Sequence, residues 1–178
     1  MAQAQTGDAG AAWESFKALS PAHRNQHPER GPRYELEPYV MAGDIYGAAP
    51  YVGRGGWSWY TGSAAWLHRA AIENLMGLTV NQGHMCMAPC LPAHWPFVEL
   101  TLNVQGCTVH IRWQRAGVAL EETFKPDHVI HEGQWLALAD LAPDAVLLVQ
   151  GAESTQQAAF VAPSAPSASF QDLQTAIK

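Results

Sequence analysis

Cations are scarce in this chain. Lys and Arg total 10 against 16 Asp and Glu, a formal net charge of −6. Nonspecific nucleic-acid binding needs clustered Lys and Arg that displace counterions from phosphates, so nucleic acid is not an expected partner. No run of like charge supplies a local exception. Long apolar runs are missing too. A membrane helix needs about 20 predominantly apolar residues, and no segment approaches that length, so no membrane segment is expected. Met1 to Gly10 shows neither the basic nor the apolar region of a signal peptide. Cysteines are few and odd in number: Cys86, Cys90 and Cys107. Without a secretory signal they read as reduced thiols in a cytoplasmic protein. A Walker loop, a nucleophile elbow and a dinucleotide fingerprint are all absent. Those absences remove the sequence-readable routes to nucleotide chemistry and acyl transfer.

What is present is enough for a core. Of 178 residues, 48% are hydrophobic, which suits one ordinary domain or two small ones. Residues 1–10 read as a frayed start. Ala11 to Leu19 is a short helical pattern with Trp13, Phe16 and Leu19 on one side, stopped by Ser20-Pro21. Ala22 to Arg33 is polar and reads as loop. Pro38 suits a first helical turn, and a helix apolar on several faces is expected from about Pro38 to Tyr46. Another follows from about Gly62 to Met76, with Leu67, Ala71 and Leu75 at four-residue spacing and Gly77 as its stop. Trp66 lies near that stripe and reads as core.

Past Gly77 the period changes from helical to alternating. Val98 to Val104 and Cys107 to Trp113 alternate strictly, joined by Gln105-Gly106 as a hairpin. Weaker strands fit Met85–Met87, His128–Ile130, Trp135–Ala139 and Val146–Val149. Helices first and strands second suggests two units: residues 11–77 helical, residues 78–150 antiparallel β, and residues 151–178 a disordered tail of Ala, Ser, Pro and Gln.

The chemistry concentrates between Gly53 and Trp66. Gly53-Arg54-Gly55-Gly56-Trp57-Ser58-Trp59-Tyr60-Thr61-Gly62-Ser63 runs from a glycine loop through tryptophans into a helix start. A helix N-terminus leaves N–H groups unpaired and carries partial positive charge. Thr61 can either cap that helix or bond an oxyanion, and Gly62 lets an anion approach the backbone. Trp57, in the loop, is the candidate sugar-binding ring. Glu37 and Asp44 are seven apart; on one helix that is roughly 10 Å, at or past the upper end for paired glycosidase acids. They read instead as a cap or first-turn acid and a buried, hydrogen-bonded acid. Cys86 and Cys90 with His84 and His94 have a superficial metal-ligand look. Pro89, Pro92 and Pro96 interrupt the segment and no second ligand pair follows, so no metal is expected.

Several of these motifs recur together in one family. Tyr34-Glu35-Leu36-Glu37-Pro38-Tyr39-Val40, Gly43-Asp44-Ile45-Tyr46, the Gly53–Ala64 stretch, Pro89-Cys90-Leu91-Pro92 and Trp95-Pro96 together resemble the C-terminal part of glycoside hydrolase family 94. That family holds cellobiose, chitobiose and cellodextrin phosphorylases and the phosphorylase-like module of cyclic β-1,2-glucan synthases. The Gly-Arg-Gly-Gly-Trp loop is most similar to the last group. The likeness spans residues 11 to about 113. It departs at Ser20-Pro21-Ala22-His23 and at Pro96-Phe97-Val98, where local turns differ.

The resemblance implies the last helices of an (α/α)6 barrel followed by a small antiparallel β-sandwich. It implies inverting phosphorolysis, in which phosphate attacks the anomeric carbon while an aspartic acid protonates the leaving oxygen. Thr61 and Gly62 match the phosphate-contacting Thr-Gly pair. The general acid and the remaining phosphate ligands belong to earlier barrel segments, so no catalytic residue is expected in this chain and Asp44 is not a substitute. No cofactor is implied; inorganic phosphate or a sugar 1-phosphate is substrate. Expected partners are a β-glucan or glucoside, phosphate, and an upstream barrel polypeptide or a second copy. The expected function is a C-terminal fragment of a phosphorylase or cyclic β-1,2-glucan synthase, inactive alone. The alternative is a noncatalytic carbohydrate-binding or interaction module, or a truncated remnant.

Overall fold

A computed structural model describes residues 1–59, 62–104 and 106–152. Its helices are few and its sheets small. α1 (Ala2–Gln5) and α2 (Ala9–Leu19) open the chain. Asp8 caps α2, its side chain accepting from the Ala11 amide at 2.9 Å. Residues 1–10 are therefore packed rather than frayed, and Ala4, Ala9 and Ala12 are buried. Small residues let these short helices approach the core closely. Trp13 and Phe16 stack at 5.8 Å and pack against that core, whereas Leu19 is exposed.

The stretch expected as loop from Ala22 to Arg33 instead forms α3 (Pro21–Gln26) and α4 (Gly31–Tyr34). Pro21 starts α3 because its missing N–H would be unpaired at a helix start anyway. The helix expected over Pro38–Tyr46 does not form. β1 (Asp44–Ile45) pairs there with β2 (Gly55–Gly56) in antiparallel register. The cause is nonlocal. Tyr34, fully buried, donates its hydroxyl to the Val40 carbonyl at 3.0 Å and accepts from the Ala42 amide at 3.2 Å. That anchor holds the chain in an irregular, non-helical path ahead of β1.

α5 (Ser63–Arg69) continues into a wider π turn, Ala70–Leu75. Leu75 is buried and Gly77 ends the run at φ 63°. The strands follow: β3 (Leu78–Asn81), β4 (His84–Met87), β5 (Phe97–Val104), β6 (Cys107–Gln114), β7 (His128–His131), β8 (Leu136–Ala137) and β9 (Ala145–Gln150). β3 escaped the sequence reading. They make a three-stranded sheet, β3-β4-β8, and a four-stranded sheet, β5-β6-β9-β7. β5 and β6 pair antiparallel from Phe97↔Gln114 to Val104↔Cys107; Gln105 of the connecting turn lies outside the described residues.

The sheet is not wholly antiparallel. β9 runs parallel to both β6 and β7, because the chain leaves β6, crosses over, and re-enters between them. Local alternation cannot reveal that direction. Met85, Met87, Val109, Ile111, Leu147 and Val149 are buried in one cluster with Ala12 and Leu75, so helices and both sheets share a core. Truncating one of these side chains to Ala would cost about 2–5 kcal/mol. The proline-rich segment is held from outside the sheets. Arg115 donates to the carbonyls of Trp95, Leu91 and Pro92 at 3.0–3.2 Å. Of the tail expected to be disordered, residues 151–178, the part from 153 onward lies outside the described residues.

Candidate functional site

The glycine loop is built by omission of side chains. A Cβ on Gly56 would lie 2.5 Å from Asp44 Oδ1 and 3.0 Å from the Tyr46 hydroxyl. A Cβ on Gly55 would meet Leu36, and Tyr34 at 3.1 Å. Only paired glycines let β1 and β2 close over these groups. The Gly43 amide bonds the Gly56 and Trp57 carbonyls at 3.0 and 3.2 Å. The chain then turns sharply. Trp57 and Trp59 sit at φ 54° and 74°, a region bulky L-residues rarely adopt and one that costs about 1–3 kcal/mol each.

That backbone turns aromatic rings outward. Trp57 is 61% exposed, Trp59 69% and Tyr39 71%. Trp59 meets Tyr39 edge-on at 6.1 Å and donates its indole N–H to Glu37 Oε1 at 3.3 Å. Glu37 is thus neither cap nor first-turn acid; it orients a surface ring. Asp44 is exposed, not buried, and the expected helical spacing between the two acids is gone with the helix. Trp66 also departs from its reading as core: it is 56% exposed, with Arg69 over its ring at 5.2 Å. Tyr46 and Tyr51 add further exposed rings from the same stretch. The sequence offered Trp57 and Trp59 as candidate rings; it did not disclose the Trp59–Tyr39 pairing, which depends on the turn that replaces the expected helix after Tyr34.

Gly62 occupies the N-cap of α5 and is exposed. The cap position is one residue past the expected Thr61. Thr61 lies outside the described residues. The Trp66 amide bonds the Gly62 carbonyl at 3.1 Å, closing the first turn. A Cβ on Gly62 would come within 3.8 Å of the Trp66 ring. Nearby cations are already engaged. Arg54 pairs with Glu35 at 3.0 Å and lies over Tyr51. Arg69 forms a two-pronged pair with Glu73 at 2.8 and 2.9 Å. Glu73 is held below its ordinary pKa by the hydrogen bond from Arg69. Any anion at this helix start would be met by backbone N–H groups more than by these guanidiniums.

The cysteine-histidine segment is dispersed. Cys86 and Cys90 are buried, and burial pushes both thiols above the ordinary value. His84 contacts the Gln82 carbonyl at 3.0 Å. Among the described residues no group of three or more His, Cys, Asp and Glu is placed to hold a metal. None of their helices is long and apolar enough to cross a membrane.

Comparison with known families divides the chain at Gly77. Residues 1–77 match the model described as glycosyl hydrolase 94 superfamily, catalytic domain, and residues 78–137 match glycosyl hydrolase family 65, C-terminal domain. Among relatives, cyclic beta-(1,2)-glucan synthase NdvB of Rhizobium meliloti (strain 1021) is 36% identical over 126 residues, 68% of this chain and 4% of that protein. N,N'-diacetylchitobiose phosphorylase of Vibrio proteolyticus is 26% identical over 131 residues, 72% of this chain and 15% of that protein. The same-named enzyme of Vibrio furnissii is 30% identical over 115 residues, 64% of this chain and 14% of that protein. This chain therefore spans only a small part of the length of these relatives.

Proposed function

We propose that this chain, a member of the glycoside hydrolase 94 family through residues 1–77, supplies one wall of a sugar-phosphate site. The whole enzyme would be an inverting glycoside phosphorylase or a cyclic β-1,2-glucan synthase. Thr61 and Gly62 would hold phosphate at the start of α5, and Trp57 would face the sugar with Trp59 beside it. The observation that carries the reading is the pair of tryptophans held outward at positive φ beside a glycine-capped helix start. Strain of that kind persists where surrounding structure imposes it, and it gathers at ligand sites. The relatives carry phosphorylase and glucan synthase names, which supports phosphate and a glycoside as substrates.

In the forward reaction a phosphate oxygen bonds to the anomeric carbon as the glycosidic C–O bond breaks. The leaving oxygen takes a proton from an acid, and a sugar 1-phosphate of inverted configuration results. Phosphate is itself the nucleophile, so no carboxylate need activate a water. The N–H groups at the head of α5 suit the charge that moves onto and off phosphate. On this reading the acid comes from a barrel segment outside residues 11–77, supplied elsewhere in a longer chain or by another polypeptide. The chain alone would then not turn over.

The test is phosphate release or consumption with cellobiose, short β-1,2-glucans and glucose 1-phosphate, with and without the other barrel segments. Expected is no turnover alone and turnover in the completed enzyme. There Thr61→Ala should raise the KM for phosphate roughly ten- to a hundredfold, as for one lost hydrogen bond to a charged group. Turnover by the chain alone that vanishes in Thr61→Ala would show that the acid lies in this sequence. An unchanged phosphate dependence would remove Thr61 from the site. The exposed rings Tyr39, Tyr46 and Trp66 favour a second reading, an interaction module whose aromatic face meets another polypeptide. Self-association without any sugar or phosphate effect would favour it.

A further inference from the structure

The outer face of the four-stranded sheet carries chemistry that the aromatic wall does not use. On β5 and β6 the core side is Leu100, Leu102, Val109, Ile111 and Trp113. The opposite side pairs Glu99 with Arg112 and Thr101 with His110 in register. Arg112 stands out because it is a cation only 4% exposed in the middle of a strand. Such a charge needs partners. Its Nη1 donates to Glu99 at 3.1 Å and its Nη2 to Glu121 at 3.3 Å. Its guanidinium lies 4.0 Å from the Phe97 ring centre and 5.1 Å from that of Phe124. Its Nε is buried without a hydrogen-bond partner. Beside it an open concavity of about 280 Å³ is lined by Glu99, Thr101, His110, Arg112 and Phe124.

A structural role accounts for part of this. Arg112 pins the segment carrying Glu121 and Phe124 onto the sheet. It does not account for Thr101 and His110. Both are exposed at the same concavity, and they contact one another at 3.4 Å.

We infer that this concavity binds one neutral sugar unit, at a second saccharide site on the sheet face. The charges choose the class. An anion would meet Glu99 and Glu121, and a cation would meet the Arg112 guanidinium. A neutral polyol suits both: carboxylates accept from its hydroxyls, while the imidazole and the threonine hydroxyl can give or take a proton in a hydrogen bond. Phe124 offers an apolar ring to the C–H face of a pyranose. The volume sits just under the ~300 Å³ at which small-molecule pockets begin, which suits one ring with its neighbours in solvent. Arg112 is fixed by two carboxylates and two rings before any ligand arrives, so little ordering is needed on binding. The proposed function enters only in choosing which sugars to try.

Titration of the isotope-labelled full chain, followed by backbone amide NMR, tests the site. The probes are glucose, cellobiose, a β-1,2-linked glucobiose and N,N'-diacetylchitobiose, with inorganic phosphate run separately. Expected are sugar-dependent shifts at residues 99–101 and 110–112, and none there with phosphate. Because Arg112 supports the fold, the variants are His110→Ala and Thr101→Val, both at exposed positions. Each should weaken binding roughly tenfold, as for one lost neutral hydrogen bond, with unchanged melting. Trp57→Gly should leave the sheet-face shifts in place. Shifts confined to residues 57–66 would overturn this site and leave the proposed wall standing. No sheet-face shift with any of these sugars, or a phosphate-driven one, would also overturn it.

Discussion

Trp13 and Trp95 meet edge to face, ring centres 5.1 Å apart and planes at 73°. One ring comes from α2 and the other from the proline-rich segment between β4 and β5. Arg115 holds the Trp95 carbonyl at 3.0 Å, so the contact links α2 to the residue that follows β6. Trp13 also meets His23 at 5.8 Å. Trp13→Ala should destabilise the chain by about 2–3 kcal/mol, below the full-burial range because Trp13 is only partly buried. Urea unfolding measures this. A double cycle with Trp95→Ala should show a coupling of about 0.5–1.5 kcal/mol, as for other aromatic pairs. Strict additivity would mean that the two rings hold independent parts of the fold.

Gly77 marks where helix gives way to sheet, and no other residue fits there. Its φ is 63° and a Cβ would overlap the Ala88 carbonyl. The Ala88 amide bonds the Gly77 carbonyl at 3.1 Å and the Cys90 amide bonds the Leu75 carbonyl at 2.8 Å. Backbone therefore faces backbone, and neither side can swing away as a side chain would. Gly77→Ala should cost more than ~2 kcal/mol, beyond the ordinary left-handed penalty of about 1–2 kcal/mol. A fall in melting temperature several times that of Gly83→Ala checks it, since a Cβ on Gly83 meets nothing within 4 Å.

These two sites differ in how much of them the sequence disclosed. Gly77 was legible as a helix stop because a glycine after an apolar four-residue repeat has a local meaning. So were β5 and β6, whose alternation is strict over seven residues each, Val98–Val104 and Cys107–Trp113. Pro38–Tyr46 misled for a physical reason. Its proline and apolar residues suit a helix locally, but the Tyr34 hydroxyl and the paired glycines of β2 supply better partners from elsewhere. With that helix went the Glu37–Asp44 geometry, and in its place came the Glu37–Trp59 contact. The direction of β9 was equally hidden, because a strand's alternation is the same whichever neighbour it runs beside.

The three cysteines should separate by reactivity. The thiolate is the attacking form, and burial raises the pKa of Cys86 and Cys90. Cys107 is partly exposed at the start of β6. Iodoacetamide at neutral pH should label Cys107 first, with Cys86 and Cys90 following only as the chain opens. Peptide mass spectrometry over time reads the order. Denaturant should make the three rates converge. Early labelling of Cys90 would mean that the proline-rich segment opens far more easily than its hydrogen bonds to Arg115 suggest.

Acid should weaken the α5 region through Glu73. Its hydrogen bond from Arg69 lowers its pKa in the folded chain. A depressed acid stabilises the fold fully above its unfolded value, about 4.3, and that contribution fades as pH falls through the lower folded value. The pair is exposed and screened, so the effect is small. Glu73→Gln should lower the melting temperature slightly at pH 7, and the difference from the parent should shrink towards pH 3. A difference that persisted at low pH would assign the loss to packing.

Trp57 offers the sharpest separation of structure from function. Its backbone occupies the left-handed region at φ 54° while its ring is 61% exposed. Glycine adopts that conformation without the Cβ penalty. Trp57→Gly should therefore change stability by no more than about 1 kcal/mol in either direction, the relieved backbone offsetting the ring contacts that are lost. If the ring faces sugar, the same change should weaken saccharide binding on this wall or raise the KM for sugar in the completed enzyme. Calorimetry with and without ligand decides the matter: a variant more than ~1 kcal/mol less stable would make Trp57 part of the fold, and the strained turn would then need another explanation.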